Sequence, residues 1–251
     1  MNTQTLYERF AKTPPRRLFF LAAIPGAVSM LASALYQLID GVFVGQILGE
    51  TAFAALNLAM PFVIINFSLA DLIGVGSSVP ISIDLGRKEE KTANNTFTCA
   101  CILIVATSAA VGAVLYLAAP LLMSLMGAEG EFAAFAVQYL RVYALCSPVT
   151  TIIFAVDNYL RICGKVQRSM LLNIFMSVMS ASLEFLFLAV FRWGIWGAAL
   201  ATCTGMFLSA AAAFYPFFRG RMPLHFCRPR FHWGMIRKMI ANGAPNFLNN
   251  I

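Results

Sequence analysis

The stretch SALYQLIDGVFVGQILGE, Ser33 to Glu50, sets an aspartate into a run apolar enough to sit in lipid. Upstream, Leu18 to Ile39 carries no charge, and Val42 to Val44 is apolar again. A carboxylate at such a depth costs about 2.5–3.5 kcal/mol on insertion scales, so it is retained for a function by default. The bland alternative for Asp40 is a structural hydrogen bond to a neighbouring helix.

The rest of the chain repeats that apolar character. Hydrophobic residues make up 60% of the 251, charged residues 12%, and the mean hydropathy is +0.76. Soluble domains run at about 25% charged residues. The chain is therefore an integral membrane protein. Apolar runs of the length a bilayer requires fall at about 18–44, 54–83, 96–126, 133–160, 169–191 and 195–218. They are too long and too uniformly apolar for barrel strands, so the fold class is all-α: a polytopic six-helix transmembrane bundle. The expected organisation is a six-helix lobe over 1–218, a connector at 219–234, and the start of a seventh helix at 235–251.

Charge then sets orientation. Sixteen of the eighteen Lys and Arg residues fall on one side, Arg141 and Arg192 excepted. The tail holds Arg9, Lys12, Arg16 and Arg17, and the inter-lobe connector holds Arg219, Arg221, Arg228 and Arg230. The positive-inside rule makes the N-terminus and the even connectors cytoplasmic, in a cell membrane. Basic residues spaced between apolar runs, rather than along one face, argue for an anionic membrane surface and against nucleic acid. RRLFFLAAIPGAVSML (Arg16–Leu31) and IRKMIANGAPNFLNNI (Ile236–Ile251) share a basic pair and a proline, Pro25 or Pro245, in one register. Such a restart is expected of a parallel repeat of six helices, with a second lobe to follow.

Cysteines 99, 101, 146, 163, 203 and 227 form no CxxC and read as small core residues. His225 and His232 lie in the connector without a matching Cys pair, so no metal centre is expected. Asn94-Asn95-Thr96 fits a glycosylation sequon on the wrong side of the membrane, and Gly74 to Ser78 is small-residue packing inside a span.

Several local patterns resemble the multidrug and toxic-compound extrusion (MATE) family of cation-coupled exporters. YQLIDGVFVGQILG (Tyr36–Gly49) resembles the family's Tyr-x-x-x-Asp with a Gly-x-x-x-Gly-like ending. AALNLAMP (Ala54–Pro61) resembles the start of its second helix, YLRICGKVQRSM (Tyr159–Met170) its Arg-x-x-Gly connector, and GIWGAALAT (Gly194–Thr202) the entrance to helix six. The resemblance implies twelve helices in two lobes, and export driven by protons or sodium ions. It also implies an N-lobe cation site on these helices. Two departures bear on the coupling ion: Ser180 and Glu184 stand where the family often has Asn-x-x-x-Asp, and Asp84 precedes Leu85-Gly86 where it often has arginine.

Helical rise places Asp40, Glu184, Thr202 and Tyr139 at comparable depths in the outer half of the membrane, where they could line one cavity. These four are the expected cation-coupling residues. Glu184 has an alternative, a fixed ion pair with Arg141. Tyr36, Gln37, Asn66, Asp71, Ser180 and Arg141 are the further cavity or substrate candidates. Pro25 removes a backbone hydrogen bond in the first span and is the candidate hinge. Asp157 and Arg161 read as an i, i+4 surface pair.

The expected function is a proton- or sodium-coupled antiporter that exports drugs or organic metabolites, cationic or amphipathic, by alternating access, with no cofactor. Desolvation favours the protonated form of a carboxyl group, whereas a sodium ion needs several converging oxygens, here at Asp40 and Glu184. A lipid-linked oligosaccharide flippase is the alternative, and it would favour basic residues in the cavity. An intramembrane enzyme would need a catalytic constellation, and no span contains a His.

Overall fold

The computed structural model describes residues 14–220 and 222–250, so Arg9, Lys12, Arg221 and Ile251 lie outside the described residues. Its helices are α1 (Pro15–Phe43), α2 (Glu50–Gly86), α3 (Glu90–Leu125), α4 (Gly130–Thr150), α5 (Ile152–Ile162), α6 (Val166–Phe185), α7 (Ile195–Phe218) and α8 (Trp233–Asn250). No strand occurs among the described residues. Six helical runs are long and apolar enough to span a membrane, with α4 and α5 together forming the fourth.

Most of these helices outrun the hydropathy signal by several residues. Helix α2 has 37 residues, about 55 Å at 1.5 Å per residue, against a hydrocarbon core of about 30 Å. Backbone bonding continues into the polar ends, which hydropathy cannot see. Two helices also change pitch at one end. Val44–Leu48 after α1 and Leu186–Val190 after α6 are π-helical turns, the two touching each other, with the Phe43 and Phe185 rings 5.9 Å apart. Gly49, at φ 91°, then turns the chain into α2, a conformation a side chain would strain.

Prolines shape the interior. The fourth span breaks at Thr151, three residues after Pro148, whose missing N–H frees the Ala144 carbonyl. Ser147 Oγ lies 2.9 Å from that carbonyl and 2.9 Å from the Ser108 carbonyl, so one hydroxyl serves the freed acceptor and ties α4 to α3. Gly112 permits this approach, because a Cβ there would sit 2.5 Å from Ser147 Oγ. Helix α1 runs unbroken through Pro25.

Helix α2 is central, packing on α3, α4, α5 and α8, while α1, α6 and α7 form the opposite wall. Close crossings need small residues. A Cβ on Gly74 would lie 2.8 Å from Ala155 Cβ of α5, and one on Gly76 would overlap the Met239 carbonyl of α8. Two apolar clusters fill the bundle. One, around Phe97, Tyr159 and Phe217, sits at the end of the even connectors, and the other, around Leu140, Leu188 and Ile195, at the opposite end.

The connector is not loose. Asn94, Asn95 and Thr98 on α3 hydrogen-bond backbone groups of His225, Cys227 and Arg230 along its length. The Asn94–Asn95 pair set aside as an unused sequon is thus a docking ladder. Asp157 likewise does more than pair with Arg161 at 2.8 Å, because it also accepts from Ser169 Oγ and from Asn173 Nδ2 at 2.9 Å, which joins α5 to α6.

Candidate functional site

Between the two apolar clusters lies a cavity of about 690 Å³ bounded by α1, α2, α4 and α7, with Phe154 and Met176 from α5 and α6. Helix α1 reaches it through Ser33, Tyr36, Gln37, Asp40 and Gly41. Among the described residues from α1 into its π turn, Ser29, Asp40 and Val44 are buried, at spacings of eleven and four that share a face. The remainder of α1 is largely exposed Phe, Leu, Ile and Met, as a lipid-facing surface requires.

Asp40, Tyr139, Thr202, Tyr36 and Gln37 all line the cavity. Tyr36 Oη lies 2.7 Å from Thr202 Oγ1, which itself donates to the Ala198 carbonyl at 3.3 Å. The Tyr36 hydroxyl is therefore the donor, and it ties α1 to α7 beside Asp40. The Tyr139 and Tyr143 rings, 5.0 Å apart, close the α4 side.

Glu184 departs from expectation. It does not reach the lining but lies behind it, fully buried between the cavity wall and the body of the bundle. Apart from the Asp40 carboxyl, neither carboxyl oxygen has a hydrogen-bond partner among the described residues. Asp40 is 9% exposed, and its carboxyl and that of Glu184 face each other within hydrogen-bond reach. The suggested partner Arg141 is elsewhere, its Nε donating to the Tyr116 carbonyl at 3.4 Å and its guanidinium 5.1 Å from the Tyr116 ring centre.

The other candidates also sit outside the lining. Asn66 is buried with its Oδ1 unpartnered. Ser180 is pressed against α7, where a Cβ on Gly205 would overlap its Oγ. Asp71 accepts from Asn246 Nδ2 at 2.7 Å and so binds α2 to α8. These corrections share a cause: depth along a span is readable from sequence, but the face a side chain takes depends on which neighbour it meets.

Sequence reasoning missed the two π turns, which begin four residues after Asp40 and two after Glu184. Such turns are frequent at functional sites, but VGQIL and LFLAV carry no local signal for them. No group of His, Cys, Asp or Glu suited to a metal ion occurs among the described residues, and all six cysteines are free.

A polytopic helical bundle with two adjacent intramembrane acids beside a ligand-sized aromatic cavity defines a multi-pass membrane protein. Within that class the family is clear. The MatE family model matches residues 25–186, and the chain belongs to this family. It is 24% identical over 256 residues to the multidrug export protein MepA of Staphylococcus aureus, covering 100% of this chain and 56% of that one. A MATE structure in complex with MaD3S superposes with a TM-score of 0.89 at 25% identity, over 95% of this chain and 54% of the other. An outward-facing multidrug resistance MATE transporter gives 0.85 at 25% identity, over 99% and 54%. The chain thus spans about half the length of the relatives it matches.

Proposed function

We propose that this chain forms the six-helix half, with the connector and the opening of a second unit, of a cation-coupled exporter in the cell membrane, its N-terminus cytoplasmic. The substrate is a small cationic or amphipathic drug or metabolite, and the driving ion is a proton or sodium. One observation carries this reading: a fully buried acid, Glu184, whose one polar partner among the described residues is a second acid, Asp40, that opens on a large cavity. A static structural role would have set a basic group against them, since buried acids without a cation are costly. A pair that must pick up and release a cation is left free to do so.

The cavity chemistry supports the substrate class. Its walls combine Phe53, Phe67 and Phe154 with Met60, Met176 and Met206, adaptable apolar surfaces that suit varied amphipathic molecules. Tyr36, Tyr139 and Tyr143 add π faces that attract organic cations. No Lys or Arg is among the lining residues, which favours export of cations over flipping of a pyrophosphate-linked lipid. Coupling follows if the cation and the substrate favour different arrangements of α1. Pro25 is the hinge, because the helix lacks a backbone bond there and can bend at low cost.

The test is Asp40→Asn in the full-length protein, which keeps the shape and removes the titrating charge. Everted vesicles under an imposed proton or sodium gradient should lose substrate accumulation, while expression stays near normal and substrate binding loses its dependence on the ion. Accumulation at the wild-type rate would reduce Asp40 to a structural residue.

A further inference from the structure

At the end of the bundle where the even connectors lie, bases from four elements converge. Arg87 follows α2, Lys91 stands in the first turn of α3, Arg230 belongs to the connector, and Lys238 lies in the second turn of α8. All four border one cavity of about 570 Å³ between these elements. Two acids, Asp84 and Glu89, border it as well, and Arg87 and Lys238 both act on Asp84. Four cations against two anions leave the cavity basic.

A positive-inside bias spreads Lys and Arg over exposed loops and asks for no cavity. Here the fold also holds one of the bases in place. Both main-chain groups of Arg230 are bonded to Asn95, at 2.7 and 2.9 Å, and its carbonyl lies 3.1 Å from His232 Nδ1. Asn95 and His232 border the same cavity. The Arg230 side chain therefore starts from a backbone fixed at the cavity wall. A second, independent observation points to a ligand. Thr96 is 3% exposed and borders the cavity, and its hydroxyl makes no hydrogen bond among the described residues. Thr98 and Thr107 on the same helix donate to the carbonyl four residues back, at 2.9 and 2.7 Å. Thr96 does not take that local option, and a buried hydroxyl left without a partner calls for an occupant. Water would serve the hydroxyl but leave the excess positive charge uncompensated. An anion with several acceptor oxygens serves both.

We propose that this cavity is a phosphate-binding site. Arg87, Lys91, Arg230 and Lys238 hold the phosphate group, and the Thr96 hydroxyl donates to one of its oxygens. A tetrahedral anion suits donors that arrive from several directions, and each guanidinium can bind it through two N–H groups. The two acids limit the bound charge to that of one phosphate group. The charges themselves place this end outside the hydrocarbon, within reach of lipid headgroups and of dissolved phosphates alike. The site shares no residue with the Asp40 cavity, so it stands apart from the export reading. Its occupant bridges α2 and α3 to α8.

Binding is read on the full-length protein in detergent, from the rise in melting temperature as ligand is added, which gives an apparent Kd. One arm titrates inorganic phosphate against chloride at constant ionic strength. The other titrates phosphatidylglycerol against diacylglycerol of the same chains, which lacks the phosphate. Saturable stabilisation by phosphatidylglycerol alone assigns a lipid headgroup, and stabilisation by inorganic phosphate assigns a dissolved phosphate. Lys238→Gln and Thr96→Val should each weaken binding roughly tenfold, the worth of a hydrogen bond to a charged group. Arg237→Gln removes the same charge at the neighbouring position, which is not in the lining, and should change the Kd by no more than about twofold. No saturable stabilisation in either arm, or equal weakening by Lys238→Gln and Arg237→Gln, would overturn the site. Should Thr96→Val fold poorly, the comparison of Lys238→Gln with Arg237→Gln decides the matter by itself.

Discussion

Glu184→Met should make this protein more stable while disabling it. Glu184 is fully buried and its carboxyl has no partner among the described residues but the Asp40 acid, so the substitution removes no ion pair and relieves the crowding of two acids. Met is close to Glu in length and adapts to irregular space. Replacing buried charged groups by apolar residues of similar volume is often neutral or stabilising by about 1–4 kcal/mol. For a chain of this size each kcal/mol moves the melting temperature by roughly 2–4 °C. A rise of several degrees is therefore expected by dye-monitored melting in detergent, together with loss of ion-driven efflux. Asp157→Leu is the control of opposite sign. That carboxylate holds Arg161 at 2.8 Å and Asn173 at 2.9 Å, and also Ser169, so its removal strands three donors. Because the site is partly exposed, the cost is about 1–3 kcal/mol rather than the full value for a buried pair. If Glu184→Met melts several degrees below wild type, Glu184 has a structural partner and the premise of a free coupling acid is wrong.

Two further substitutions test the frame around the site. Gly76→Val should displace α8 and cost roughly 1–3 kcal/mol or more by overpacking, since its Cβ would overlap the Met239 carbonyl; Gly86→Val, with open space around it, should melt like wild type. Asn95→Ala removes both bonds to the Arg230 backbone, at 2.7 and 2.9 Å. It should cost about 1–2 kcal/mol, and trypsin should cut faster after Arg230, while the melting temperature of the bundle moves by only a few degrees.

The six spans were legible because a bilayer imposes one requirement on each, about 20 apolar residues, and composition alone reports it. The same reasoning put Asp40, Tyr139 and Thr202 at one depth, and all three line one cavity. What depth could not give was facing. Glu184 and Ser180 are one turn apart on α6, yet the nearness of α7 at Gly205 keeps Ser180 in the helix interface. Arg141 looked like a partner for Glu184 because both were the unusual charges of their spans, but Tyr116 offered it a carbonyl and a ring closer at hand. The π turns were invisible, as no residue type demands an extra residue per turn. The connector ladder had a visible signal: amides and a hydroxyl at 94, 95 and 98 stand at the start of a membrane helix, and MPLHFCRPR (Met222–Arg230) follows with no helical partners for its backbone. Unpaired main-chain groups and spare side-chain donors should have been matched to each other.

That ladder limits how far the helix beyond it can travel. His225, Cys227 and Arg230 are pinned to α3, and α8 begins at Trp233, so only Phe231 and His232 separate the ladder from the helix. Fully extended, the three steps from Arg230 to Trp233 reach about 10–11 Å. The start of α8 thus moves on a tether no longer than the width of one helix, anchored at the N-terminal end of α3. Any larger displacement of α8 against the six-helix bundle must be a swing about that anchor, with the Asp71–Asn246 bond, further along, among the first contacts to part.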